Sequence, residues 1–277
     1  MNRIRPQPAR DASRLPQCLI APASCPRGAE PLAHLGDREG ILVLHGFTGS
    51  PWEVRPIAEA LAARGHTVAM PLLAGHGTSI YALDETTWRD WLASATAALH
   101  WLDAHCDRVH FVGLSMGSLL SLLLAQQRPP PRTGALVLCA PALTLRPLDR
   151  AFIEICARVG WPKWIGKDDP QLPGGARPPC YQALPLRAAR QLLDLMGVVR
   201  ATVRRREGDV LVLHGSADLT VPMAPAMAIA RQILGPGAQL RSLPGAGHLL
   251  PRDACASEVI ARTLAFVGQH IAAHPLA

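Results

Sequence analysis

Arg108-Val109-His110-Phe111-Val112-Gly113-Leu114-Ser115-Met116-Gly117-Ser118-Leu119-Leu120-Ser121-Leu122-Leu123-Leu124-Ala125 decides the fold. An apolar run of strand character leads into Gly113-Leu114-Ser115-Met116-Gly117, and a leucine-rich helical run leaves it, so the order is strand, G-x-S-x-G, helix. A serine forced into so sharp a turn needs glycine two positions before and two after, because side chains there would collide across the bend. The bend lifts the Ser115 hydroxyl clear of the sheet. It also leaves the N–H of Met116 at a helix N-terminus, where partial positive charge suits a developing oxyanion. The competing reading is a chance match in an ordinary turn, and the flanking strand and helix argue against it.

A serine is a poor nucleophile unless a histidine takes its proton and a carboxylate fixes that histidine's tautomer. An elbow of this kind places both partners downstream, in the order Ser, Asp, His. Asp209-Val210-Leu211-Val212-Leu213-His214-Gly215-Ser216-Ala217-Asp218 reads as a buried strand and turn, with Asp218 just past the strand's C-terminal end, where open parallel sheets carry their chemistry. The alternative for Asp218 is a structural cap on the helix that begins near Pro222-Met223. The next strand, Ala238-Gln239-Leu240-Arg241-Ser242-Leu243, runs into Pro244-Gly245-Ala246-Gly247-His248, and that loop can carry the His248 imidazole over the sheet edge. Upstream, Ile41-Leu42-Val43-Leu44 is followed by His45-Gly46-Phe47-Thr48-Gly49-Ser50-Pro51. There the N–H of Phe47 is expected as the second oxyanion donor, Thr48 offers a hydroxyl beside it, and His45 is read as structural.

Taken in order, His45-Gly46-Phe47-Thr48-Gly49, Pro71-Leu72-Leu73-Ala74-Gly75-His76-Gly77, Gly113-Leu114-Ser115-Met116-Gly117, His214-Gly215-Ser216-Ala217-Asp218 and Gly247-His248 resemble the α/β-hydrolase superfamily. Within it the chain is similar to small bacterial carboxylesterases and monoacylglycerol-lipase-like hydrolases, over about residues 40–269. The resemblance implies Ser115 as nucleophile, Asp218 as orienting acid, His248 as general base, and Phe47 with Met116 as the oxyanion hole. It implies no chemistry for the Gly75-His76-Gly77 turn. Ser118 stands where many relatives carry another glycine, and a small serine is expected to fit there.

With 277 residues and 49% hydrophobic content, the chain can fill the core of one large α/β domain. Its net charge of +7 comes from scattered arginines and one cluster, Arg204-Arg205-Arg206, read as the solvated end of a helix. Aromatics make up only 4% and do not interleave with the basic residues, which argues against nucleic-acid binding. Seven cysteines without C-x-x-C spacing indicate neither a zinc site nor a disulfide framework, and they favour a reducing cytoplasm. Prolines and arginines interrupt residues 1–30, so no signal peptide is read there. No run reaches the roughly 20 apolar residues of a membrane helix, so stable membrane insertion is not expected.

From residue 41 strands are expected at 41–44, 66–70, 108–112, 135–139, 209–213 and 238–243, alternating with helices near 52–64, 86–104, 116–127, 223–233 and 253–271. This alternation means a doubly wound, mostly parallel sheet. The expected organisation is an extended or partly disordered arm over 1–30, an α/β-hydrolase core over 31–141 and 208–277, and a helical cap insertion over 142–207. Within the insertion helices are expected at 146–159 and 185–205, with turn-rich stretches at 161–164 and 170–179. Phe152, Ile153, Ile155, Trp161, Trp164, Leu192, Leu193 and Met196 are candidates for an acyl pocket, though helical spacing fits core packing better.

The reading that gathers these residues is a serine hydrolase cleaving small carboxylic esters of short to medium acyl chain through an acyl-enzyme, with no metal or cofactor required. The same triad would serve a monoacylglycerol lipase, a thioesterase, an aminopeptidase-type enzyme or a C–C bond hydrolase. A hydrolase-fold binding protein without activity would not need every triad candidate intact. No oligomeric state follows from these residues.

Overall fold

A computed structural model describes residues 14–167, 178–203 and 210–276. In chain order the elements are β1 (Leu32–His34), β2 (Glu39–Leu44), α1 (Arg55–Ala62), β3 (Thr67–Met70), α2 (Ile80–Asp84), α3 (Trp88–His105), β4 (Arg108–Leu114), α4 (Met116–Gln126), β5 (Thr133–Cys139), α5 (Pro147–Val159), β6 (Trp164–Gly166), β7 (Ala183–Pro185), α6 (Leu186–Thr202), β8 (Val210–Gly215), α7 (Met223–Leu234), β9 (Gln239–Leu243) and α8 (Ala256–Ala273). Seven strands form one sheet in the order β1-β3-β2-β4-β5-β8-β9. All neighbours in it are parallel except the edge strand β1, which runs antiparallel to β3.

The central strands are continuous apolar runs because helices cover both of their faces. Side chains alternate across the sheet: Leu42, Leu44, Phe111, Leu136, Leu138 and Val212 pack on one side, and Ile41, Val43, Val112, Leu114, Val137 and Leu213 on the other. The first face is covered by α3, α4 and α7, through residues such as Trp91, Leu120 and Ala230, and α6 packs on α3 and α4. The second is covered by α1 and α8, through Ile57, Leu61, Val259 and Phe266. This is the α/β-hydrolase architecture, a mostly parallel, doubly wound sheet.

One buried charged cluster sits where β2 and β4 begin, at the edge of the sheet opposite the elbow. Arg108 donates to both carboxylate oxygens of Glu39, at 3.0 Å to Oε2, and Glu39 Oε2 also lies 3.0 Å from His110 Nε2. His110 Nδ1 accepts the Ala135 N–H, so the ring is neutral and gives its Nε2–H to Glu39. Burial pushes the Glu39 carboxyl up, but the hydrogen bonds from His110 and Arg108 outweigh it and hold it at about 2.

Several elements depart from the sequence expectation. The antiparallel β1, the one-turn α2 and the β6/β7 hairpin are absent from that expectation because they are too short to show periodicity. Residues 14–30, within the expected arm, hold a 3-10 turn at Gln17–Leu19 and pack on the domain: Leu19 is buried, the Cys18 carbonyl accepts the Leu72 N–H, and Arg55 reaches the carbonyls of Gly28 and Glu30. Between β5 and β8 the chain builds α5, the β6/β7 hairpin and α6. Of the candidate pocket residues, Ile153, Leu192, Leu193 and Met196 are buried in the core, whereas Phe152, Ile155, Trp161 and Trp164 face solvent. The Arg204-Arg205-Arg206 cluster and most of the turn-rich 170–179 stretch lie outside the described residues.

Candidate active site

Ser115 is the single residue between β4 and α4, held at φ 54° and ψ −112°, a region that L-residues rarely occupy. Its N–H donates to Cys139 O at 2.8 Å and its carbonyl accepts the Ala142 N–H at 3.3 Å, so the adjacent strand fixes the strained peptide. A Cβ on Gly117 would lie 2.2 Å from Leu44 O, which is why the fifth elbow position carries no side chain. Ser118 fits as expected, and its hydroxyl donates to Gly113 O at 2.8 Å.

Asp218 lies beyond the end of β8 with its carboxylate fully buried. Oδ1 accepts the N–H groups of Thr220 and Val221, at 2.9 and 2.8 Å, and so shapes the turn leading to α7. Oδ2 lies 2.7 Å from His248 Nδ1 and 3.2 Å from Nε2 of the buried His214. Asp218 does not cap α7, whose N-cap is Pro222 without a side-chain bond; Oδ1 closes the turn before that helix, and Oδ2 faces the two histidines. Burial pushes this carboxyl up, but His214, His248 and the Val221 N–H outweigh burial and keep it ionised well below the usual carboxylate range. The loop carrying His248 can reach Asp218 because β9 lies beside β8 and because Gly215 is bare: a Cβ there would meet Ala246 O at 2.2 Å. The structure thus brings together Asp218 and His248, whereas among the described residues the Ser115 hydroxyl makes no hydrogen bond.

The loop after β2 lies against the elbow. A Cβ on Gly46 would be 3.5 Å from Ser115 Cβ, and Glu53 accepts the Gly46 N–H at 2.9 Å. Glu53 is buried, which raises its carboxyl; the Gly46 N–H and the charges of Lys167, His248 and Arg252 work against that rise. Arg252, just past His248, donates to Trp52 O at 2.8 Å and so ties the histidine loop to the segment that carries Glu53. Among the described residues neither the Phe47 N–H nor the Met116 N–H has a hydrogen-bond acceptor. The Phe47 ring packs on Trp91, at 5.3 Å between centroids, and on His76.

His45 and His76 are structural, as expected. His45 donates from Nδ1 to Gly46 O and accepts the Leu73 N–H, while His76 donates from Nδ1 to Ala74 O and accepts the Thr48 N–H. Burial holds both rings neutral, His76 at about 4. Glu53, Lys167 and Tyr181 join the site without any local sequence motif to mark them, and His214 joins it as well. Only His214 carried a signal, its place in the His214-Gly215-Ser216-Ala217-Asp218 run. No group of His, Cys, Asp and Glu side chains among the described residues could hold a metal ion. No helix among them is long and apolar enough to cross a membrane.

The sheet order, the elbow and the strand-end acid and base define an α/β-hydrolase, and residues 41–262 match the alpha/beta hydrolase family model; the chain belongs to that family. It is 30% identical over 246 residues to the thermostable monoacylglycerol lipase of Bacillus sp. (strain H-257), spanning 88% of this chain and 96% of the relative. A carboxylesterase of Bacillus subtilis (strain 168) is 25% identical over 226 residues, 81% of this chain and 90% of its own. A solved structure reported with the metagenome-derived lipolytic enzymes LipS and LipT superposes with a TM-score of 0.80 at 30% identity, covering 89% of this chain and all of the other. The protein is a hydrolase of the lipase and esterase type.

Proposed function

We propose that the chain is a serine carboxylesterase that cleaves small esters of short to medium acyl chain by acyl transfer. Ser115 Oγ attacks the ester carbonyl as His248 Nε2 takes its proton, and the N–H groups of Phe47 and Met116 receive the oxyanion. The tetrahedral intermediate then collapses. His248 returns the proton to the departing alcohol, and Ser115 is left acylated. Water, deprotonated by His248, releases the acid and restores the serine. Asp218 stays ionised throughout and keeps the His248 proton on Nδ1, which leaves Nε2 free to act as base.

The observation that carries this reading is the 2.7 Å contact between His248 Nδ1 and Asp218 Oδ2, supported by the positive φ at which Ser115 is held between β4 and α4. The insertion between β5 and β8 would act as the cap, walling the acyl site from water. A monoacylglycerol lipase is the second reading, favoured by the 30% identity to the Bacillus sp. enzyme. Seven cysteines, none of them bonded, suit a reducing compartment such as the cytoplasm. A fluorophosphonate probe should label the wild type and not Ser115→Ala; a folded wild type that stays unlabelled would refute the assignment. Rates on p-nitrophenyl esters of increasing chain length, beside a monoacylglycerol, separate the two substrate readings.

A further inference from the structure

Thr48 follows Phe47, the residue whose N–H is assigned to the oxyanion, and it sits at φ 62°. A β-branched side chain avoids this left-handed region, so the conformation persists only where surroundings impose it. Every polar handle of Thr48 is engaged. Its N–H donates to His76 Nε2 at 3.2 Å, its carbonyl accepts the Tyr181 N–H at 3.1 Å, and its hydroxyl accepts from Lys167 Nζ at 2.5 Å.

Two of those three partners belong to the insertion. The Lys167 N–H donates to Gln182 O at 2.9 Å, extending the β6/β7 ladder, so Lys167 and Tyr181 flank one hairpin. The Tyr181 hydroxyl then donates to Gly75 O at 2.7 Å and accepts the Thr78 N–H at 3.0 Å. These bonds pin the hairpin to the loop that carries His76. A closed circuit results, from the oxyanion loop to His76, along that loop to Tyr181, and back to Thr48.

We propose that Lys167 and Tyr181 are positioning residues that hold the peptide beside Phe47 in the orientation the oxyanion hole requires, so that seating of the insertion hairpin and competence for hydrolysis are one event. The inference rests on the esterase reading and adds to it a reason for the hairpin's contacts. A hairpin that merely used Thr48 as a mooring would change stability when loosened, with no selective effect on the transition state. Lys167 lies exposed, so exchanging it tests the contact with little disturbance of the core.

The test compares Lys167→Met, which keeps the aliphatic stem, and Tyr181→Phe, which keeps the ring, on p-nitrophenyl butyrate. Each should lower kcat roughly tenfold with KM changed less than about twofold, the pattern of an interaction made only in the transition state. The inhibition constant of an alkyl boronic acid, whose tetrahedral adduct places an oxygen in the hole, should weaken by a similar factor. In a Thr48→Gly background, where glycine holds positive φ unaided, Tyr181→Phe should cost less than about twofold. Unchanged kcat in both single variants, even with a lowered Tm, or an effect confined to KM, would overturn the inference and leave the esterase standing. A wild type without Ser115-dependent turnover would remove both.

Discussion

Replacing Asp218 by asparagine tests the site most sharply, because every polar neighbour of that carboxylate is a donor. Oδ1 receives the Thr220 and Val221 N–H groups, and Oδ2 faces His248 Nδ1 and His214 Nε2. An asparagine can satisfy the two backbone donors only by placing its single oxygen at the Oδ1 position. Its NH2 then stands where Oδ2 was, 2.7 Å from His248 Nδ1. Two donors cannot meet there, so His248 must carry its proton on Nε2 and accept at Nδ1. The base then has no lone pair for the Ser115 proton. Loss of the correct tautomer costs about 10⁴-fold in kcat in a serine triad, or about 5.5 kcal/mol at 1.36 kcal/mol per decade. Steady-state hydrolysis of p-nitrophenyl butyrate, with circular dichroism to confirm folding, measures it. A folded Asp218→Asn protein within tenfold of wild-type turnover would refute the assignment; Glu258, occupied by Arg262 on the surface of α8, offers no substitute.

Two stability predictions separate by pH. Burial holds the folded-state pKa of His76 down, at about 4, and that of His45 well below its ordinary value. The stability they contribute is full above roughly pH 6.5, the unfolded value, and is lost as pH falls toward 4, so Tm should decline over that window; a flat Tm from pH 7 to 4.5 would contradict it. Glu39, held at about 2, acts lower: its contribution is complete above roughly pH 4.3 and disappears as pH drops toward 2. Arg108→Met should therefore destabilise by about 3–5 kcal/mol at neutral pH in urea titrations, since it leaves the buried Glu39 charge with only a neutral imidazole, and should flatten stability below pH 4. A loss under about 1 kcal/mol would show that the pair is replaceable by apolar packing.

The sheet was legible because strands covered on both faces must be largely apolar, and Ile41 to Leu44, Phe111 to Leu114 and Val210 to Leu213 carry that signal locally. The elbow was legible for a similar reason: a serine in a strained turn between strand and helix dictates its own neighbours. β1, α2 and the β6/β7 hairpin were not, since three to five residues show no period and their stability comes from what they pair with. The exposure of Phe152, Ile155, Trp161 and Trp164 was equally hidden, because helical spacing reveals an apolar face but not what covers it.

The amino-acid sequence alone determined the layered α/β fold, the family and the identity of the serine, acid and base candidates, all of which depend on short-range pattern. Tertiary structure alone decided that Asp218 divides its two oxygens between a turn and His248, that Glu53 is buried against the Gly46 loop, and that Lys167 meets Thr48 across 119 residues of chain. Contacts of that kind leave no local trace in the sequence. Hydrogen bonding and burial between segments far apart in the chain exist only once the sheet has brought the segments together.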